Sequence, residues 1–347
     1  MGYSEGLDAI AFLGPLSGTR MYRSIHAEAL AAFAPRLGVS VLADIAALGR
    51  STIAAGMGLL SPSLAYVLSG ATDNSSIDAV IDNLEGRNAR LEAPLRGTPY
   101  WSEAAWSWFD ATAPRLITVL AAMRDAGFSA FWAERTPDID VRRRRLQQAV
   151  AGHDVIGVQE RLTGRSFAPA IEVVLLQFVA PHGIKVQGQR FLQSIDYGTE
   201  PTVRNAAHEL LHPPFDMSGP AAAAALAVLD LDPLITRIVA EHDPMWGYHT
   251  LPALLEEDIV QALDQIISEA LGVANKPSAR WNAADDGIHV LAAGLYGLLT
   301  VDGWAETGGN IEAWLAAAAT DGRLESSSLH AAAARVLQKS PDRLWPG

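Results

Sequence analysis

Thr199-Glu200-Pro201-Thr202-Val203-Arg204-Asn205-Ala206-Ala207-His208-Glu209-Leu210-Leu211-His212-Pro213-Pro214 carries an H-E-x-x-H pattern from His208 to His212. Val203, Ala206, Ala207, Leu210 and Leu211 recur at helical spacing, Thr199 or Thr202 can cap the start, and the two prolines stop the run. One amphipathic helix is expected. Histidines four positions apart on a helix project from one face, one turn above the other, so both imidazoles can reach a single metal ion. Glu209 stands beside them, where a carboxylate can take a proton from a metal-activated water as general base.

Upstream, residues from about 7 to 150 read almost entirely as helices, at 25–34, 39–48, 51–60, 77–84, 103–126 and 141–151. Trp101, Trp106, Trp108 and Phe109 fall at helical spacing and read as core rather than as a sugar platform. Arg142-Arg143-Arg144-Arg145 points all round its helix and reads as a solvated face, with Val141, Leu146 and Val150 turned inward. From about 153 the pattern changes. Val155-Ile156-Gly157-Val158, Ile171 to Val179 and Ile184 to Gln189 read as strands, the second apolar on both faces and the third alternating. They predict an antiparallel meander leading into the H-E-x-x-H helix, whose half-exposed last strand could pair with an extended peptide. Downstream, helices are expected at 220–229, 233–241 and 251–271, the last opened by Thr250 and Pro252 and closed by Gly272.

With 26 Lys+Arg against 39 Asp+Glu, the net charge of -13 disfavours phosphate backbones, so nucleic acid is not an expected partner. Cysteine is absent, so any zinc must sit on nitrogen and oxygen. Met1-Gly2-Tyr3-Ser4-Glu5-Gly6 shows no signal-peptide pattern, which fits a cytoplasmic protein, or an exported one whose signal peptide has been removed; the apolar window 52–70 is broken by Pro62 and serines, so no membrane span is predicted. A soluble, acidic protein is expected, in three parts: an N-terminal helical region (1–152), a metal-binding core (153–272) and a C-terminal helical subdomain (273–347).

A catalytic zinc takes three protein ligands and leaves a position for water. The two histidines therefore need a partner, and the adjacent Glu256 and Glu257 lie near the start of a downstream helix. Apolar Leu255, Ile259, Leu263, Ile266, Ile267 and Ala270 set Glu256 near the middle of their stripe and Glu257 at its edge. Asp216 and His249 are next in line should neither glutamate serve.

The H-E-x-x-H helix followed by Leu254-Leu255-Glu256-Glu257-Asp258-Ile259-Val260-Gln261-Ala262 resembles the gluzincin superfamily of metallopeptidases, and the order of elements is similar to that of a bacterial gluzincin-like family. The periodic segments predict a mostly helical α+β fold with a small, mainly antiparallel sheet behind the N-terminal helices, and the resemblance implies that its core is zincin-like, with two ligand-bearing helices. It also implies Glu257 as third ligand, Zn2+ as cofactor and a peptide or protein substrate. The thermolysin-like pattern puts an Asp four residues after the ligand Glu to orient a histidine. Position 261 is Gln, so Asp216 or Asp258 would have to serve. Tyr248, and His289 in a segment similar to the thermolysin-type one, are candidate donors to the oxyanion of peptide hydrolysis. The expected activity is zinc-dependent peptide hydrolysis. The alternatives are an iron- or copper-dependent modifying enzyme, or an inactive relative that serves as a binding module.

Overall fold

Ser4 accepts a hydrogen bond from the Leu7 amide at 3.0 Å and so caps a helix, Glu5–Leu16, that is buried from Gly6 to its end. A helix apolar all round has to be enclosed. This one is the axis of the first of two compact units, Met1–Ala149 with Ala170–Gly198. The computed structural model describes residues 1–346, apart from the side chain of Met245. Phe12 packs against Phe178 with ring centroids 4.3 Å apart, and Phe33, Phe128 and Phe131 close the cluster. A side chain at Gly6 would collide with the carbonyls of Asn74 and Ser76, so glycine there lets the Ile77–Glu85 helix start directly against the axis. Phe109 and Trp106 are buried in the same core, as their spacing predicts.

The unit carries a four-stranded sheet of β1 (Gly2–Tyr3), β2 (Glu172–Leu176), β3 (Gly183–Val186) and β4 (Arg190–Ser194), in the order β1-β2-β4-β3. β2 is the buried central strand and β3 the alternating edge strand that their patterns predict. The connectivity differs from a meander. β3 and β4 pair antiparallel across the turn at Gly188, but β4 then docks parallel to β2, with Val174 opposite Leu192, and β1 adds parallel on the other side. The sheet is mixed rather than mainly antiparallel. β4 escaped prediction because its last two residues, Gln193 and Ser194, are polar yet buried, which breaks the apolar alternation that marks a strand.

Asp8, on the axial helix, accepts from the backbone amides of Gln177 and Phe178 at 2.7 and 2.8 Å and from the Trp132 indole at 2.7 Å. The two amides are where the chain leaves β2, and the indole comes from the helix Phe128–Arg135. Asp8→Ala would strand three N–H groups, so a loss of about 3 kcal/mol in urea unfolding is expected.

The second unit is Val150–Pro169 with Thr199–Gly347. Its centre is the helix Leu251–Ala270, capped by the Thr250 hydroxyl, with Pro252 in its first turn and Gly272 left-handed just beyond it. The helix is buried on all sides, including Glu257, Asp258, Gln261, Asp264 and Gln265. Enclosed polar groups need partners, and theirs form the candidate site. Two expectations are corrected here. Val155 to Val158 do not form a strand: Asp154 caps a helix, Val155–Thr163, by accepting from Gly157, and the buried Val155, Gln159 and Leu162 fall at helical spacing. The β-branched cluster concealed that period. The sheet, moreover, belongs to the first unit and the metal-ligand candidates to the second, so the three-part division does not describe the contacts. Among the described residues, no single helix is long and apolar enough to cross a membrane.

Candidate metal centre

The H-E-x-x-H helix spans Thr199–Glu209 and stops inside the motif. Leu211 donates back to the His208 carbonyl at 3.0 Å in a tighter turn, and Pro213, joined by a cis peptide to His212, has no amide to continue the helix. Carbonyls freed by the ending are taken up by side chains. Gln159 Nε2 reaches the Ala206 and Ala207 carbonyls at 3.3 and 3.1 Å, and one nitrogen of Arg165 reaches those of Leu211, Pro213 and Pro214 at 3.1, 2.6 and 2.8 Å. The turn brings the two imidazoles together, with ring centroids 5.0 Å apart and Nε2 atoms 3.3 Å apart.

Glu257 completes the cluster. One carboxylate oxygen lies 3.6 Å from His208 Nε2 and the other 3.6 Å from His212 Nε2. His208, His212 and Glu257 thus offer one ligand atom each within 4.8 Å of one another, a group that could hold a metal ion. The donor chemistry fits. The opposite ring nitrogens are already engaged, His208 Nδ1 by Asp264 at 2.6 Å and His212 Nδ1 by Glu256 at 3.1 Å, which leaves both Nε2 atoms turned to a common point. Of the two adjacent glutamates, Glu257 faces the two Nε2 atoms and Glu256 meets His212 Nδ1. The apolar stripe could not separate them, because the helix is enclosed on every side.

Further carboxylates and amides support these groups. Asp264 is gripped by Arg280, one of whose nitrogens lies 2.9 Å from Oδ2 while another contacts Oδ1. Gln261 donates to Glu257 Oε1 at 2.9 Å and accepts from the Trp281 indole at 2.7 Å. Sequence reasoning missed these residues, although Glu257, Gln261 and Asp264 repeat at the spacing of one helix face. Asp258 orients His289 instead of a motif histidine. Asp216 sits in an exposed turn, where it accepts from the amide and hydroxyl of Ser218. His249 is exposed and stacks on His242, outside the cluster.

Of the remaining predicted residues, Glu209 is buried, and its negative charge acts on both His208 and Tyr248. His289 has no exposed surface. Its Nδ1 lies 2.6 Å from Asp258 and its Nε2 3.0 Å from Asp285, so both nitrogens face protein carboxylates and neither is left for a substrate. Tyr248 packs edge-on to that imidazole at 5.6 Å. Its φ of +57 is left-handed, at a cost on the order of 1 kcal/mol for a residue other than glycine. The loop is held there by His242, which contacts the Gly247 carbonyl, and by the Trp246 indole, which donates to Asp286 at 2.9 Å.

Electrostatics follow from this placement. Burial disfavours a charged His208, but Glu257 and the Asp264 hydrogen bond outweigh it and push the imidazole up to about 9. Burial likewise opposes the Glu257 carboxylate, while the neighbouring His208, His212 and His289 hold it below its usual range. Burial raises Asp258, yet the ion pair with His289 stands, with the imidazole pushed up to about 10 against its own desolvation. Burial and then the carboxylates of Glu257, Asp285, Asp258 and Glu209 keep the Tyr248 hydroxyl protonated.

A metal ion has to displace the His208 proton. The folded value of about 9 lies above the ordinary 6.5, so in the metal-free chain this proton's contribution to stability is complete below pH 6.5 and lost as pH rises through 9. Zinc affinity is therefore expected to rise by about tenfold per pH unit between 7 and 9. Competition titrations against a chelator of known pH dependence check this, and a flat profile would show that His208 is already neutral.

No protein family, curated protein or solved structure matches the chain. The functional reading rests on the cluster itself.

Proposed function

We propose that the chain is a zinc-dependent peptide hydrolase of the gluzincin type, its zincin-like centre built from the helix Thr199–Glu209, the turn that follows it and the helix Leu251–Ala270. The observation that carries the reading is the convergence of His208, His212 and Glu257 on one point, with Glu209 of the same motif buried beside them. Zinc, when bound, supplies a lowered pKa for water and polarises a carbonyl. His208, His212 and Glu257 would hold it, and an N2O donor set with an open position suits a catalytic rather than a structural ion.

The chain's own groups then divide the work. Asp264 and Glu256 hold the imidazoles in the tautomer that presents Nε2. Glu209 takes the proton from the attacking water and returns it to the leaving amine, which balances the hydrolysis without another acid. Tyr248 keeps its proton at neutral pH and is the donor that can share the developing negative charge on the carbonyl oxygen. His289 supports the site from within, paired with Asp258 and Asp285.

Two measurements on chain purified without added metal test the proposal: metal analysis and hydrolysis of a broad peptide library. Bound zinc with cleavage abolished by chelator and restored by zinc supports it. Stoichiometric iron or copper would favour a modifying enzyme, because two histidines and a carboxylate also suit non-haem iron. Zinc without any hydrolysis would favour a binding module.

A further inference from the structure

We infer that Gln261 and Trp281 act together as a positioning device for Glu257, a role that rests on the metal-centre reading above. The Gln261 amide is buried, one helical turn beyond Glu257 and on the same face, so its side chain lies directly over the carboxylate. An amide can present either its oxygen or its nitrogen. The Trp281 indole removes that freedom: an indole N–H only donates, so the atom 2.7 Å from it has to be the amide oxygen. The amino group is then directed at Glu257 Oε1, 2.9 Å away.

Position 261 is also where the thermolysin-like pattern has an aspartate to orient a histidine. In this chain Asp264, one turn further on, does that for His208. A carboxylate at 261 could not donate to Glu257 Oε1, whereas the amide does, its nitrogen lying between Glu257 Oε1 and His289 Nε2. The two tasks are thus divided in this chain between Asp264 on the same helix, which holds His208, and Gln261 with Trp281 on Pro277–Ala283, which hold Glu257. The adjacent residues Arg280 and Trp281 support the two arms, Arg280 through Asp264 to His208 and Trp281 through Gln261 to Glu257. With Oε1 held by the amide, the carboxylate is kept from rotating and Oε2 stays aimed beside His212 Nε2.

The test uses the full chain and the metal alone as probe. Gln261→Met keeps the side-chain length without a donor, and Trp281→Phe keeps an aromatic ring without the N–H. Each is expected to weaken zinc binding by about 10- to 100-fold in chelator competition. Each should also change the visible absorption of the Co2+-loaded chain, while circular dichroism stays that of the folded protein. A merely structural loss would lower the melting temperature without altering the cobalt spectrum. If both variants fold, bind zinc as tightly as the unaltered chain and show its cobalt spectrum, the inference is wrong. Glu257→Ala, run alongside, separates the two levels. Loss of zinc in that variant alone would overturn the positioning role and leave the metal centre standing, whereas retention of zinc would overturn both.

Discussion

Glu209→Gln is expected to bind zinc as the unaltered chain does and to lose peptide hydrolysis by about 100- to 10,000-fold, the usual contribution of a general base. Glutamine keeps the size of the buried side chain and most of its packing, but it cannot accept a proton from water. Glu209 is not among the three residues whose atoms converge, so the metal should stay. The pairing of retained zinc with lost turnover is what distinguishes a base from a ligand. If turnover survived, the proton would have to go elsewhere. Glu256, the nearest alternative in the sequence, already faces His212 Nδ1 and could not replace Glu209 without giving up that histidine.

The ligand set gives the second large effect. His208→Ala and Glu257→Ala each remove one of the three converging groups and should leave the chain without retained zinc after dialysis. Glu256→Ala should behave differently: His212 loses the partner of its Nδ1 but keeps Nε2, so zinc affinity should fall by about 10- to 100-fold without being abolished. Equilibrium chelator competition on the three variants measures the ordering. If Glu256→Ala empties the site and Glu257→Ala does not, the two adjacent carboxylates have been assigned to each other's roles.

The helices and the histidine pair were legible because their signals are local. Thr250, Pro252 and Gly272 bracket the helix Leu251–Ala270 in the sequence as they do in the structure. The H-E-x-x-H spacing likewise marks the histidines without reference to the rest of the chain. Where sequence and structure part, the competing physics is either a local cap or a distant partner. Asp154 turns a β-branched cluster into a helix, and the parallel docking of β4 on β2 joins residues that no hairpin rule links. Glu257, Gln261 and Asp264 share one helix face, but that spacing does not say what they pair with: the value of Asp264, Gln261, Arg280 and Trp281 lies in pairings between two helices, one of them only Pro277–Ala283. The sequence marks His289 as a site residue but not what it does there, since its surroundings of Asp258, Asp285 and Gln261 are visible only in three dimensions.

Zinc-edge X-ray absorption on the zinc-loaded chain tests the central claim most directly. Two imidazole nitrogens at about 2.0–2.1 Å and carboxylate or water oxygen at about 2.0–2.2 Å, in a four- or five-coordinate shell, are the predicted result. A shell without imidazole scattering, or one imidazole among five or more oxygens, would mean that His208, His212 and Glu257 do not hold the ion together.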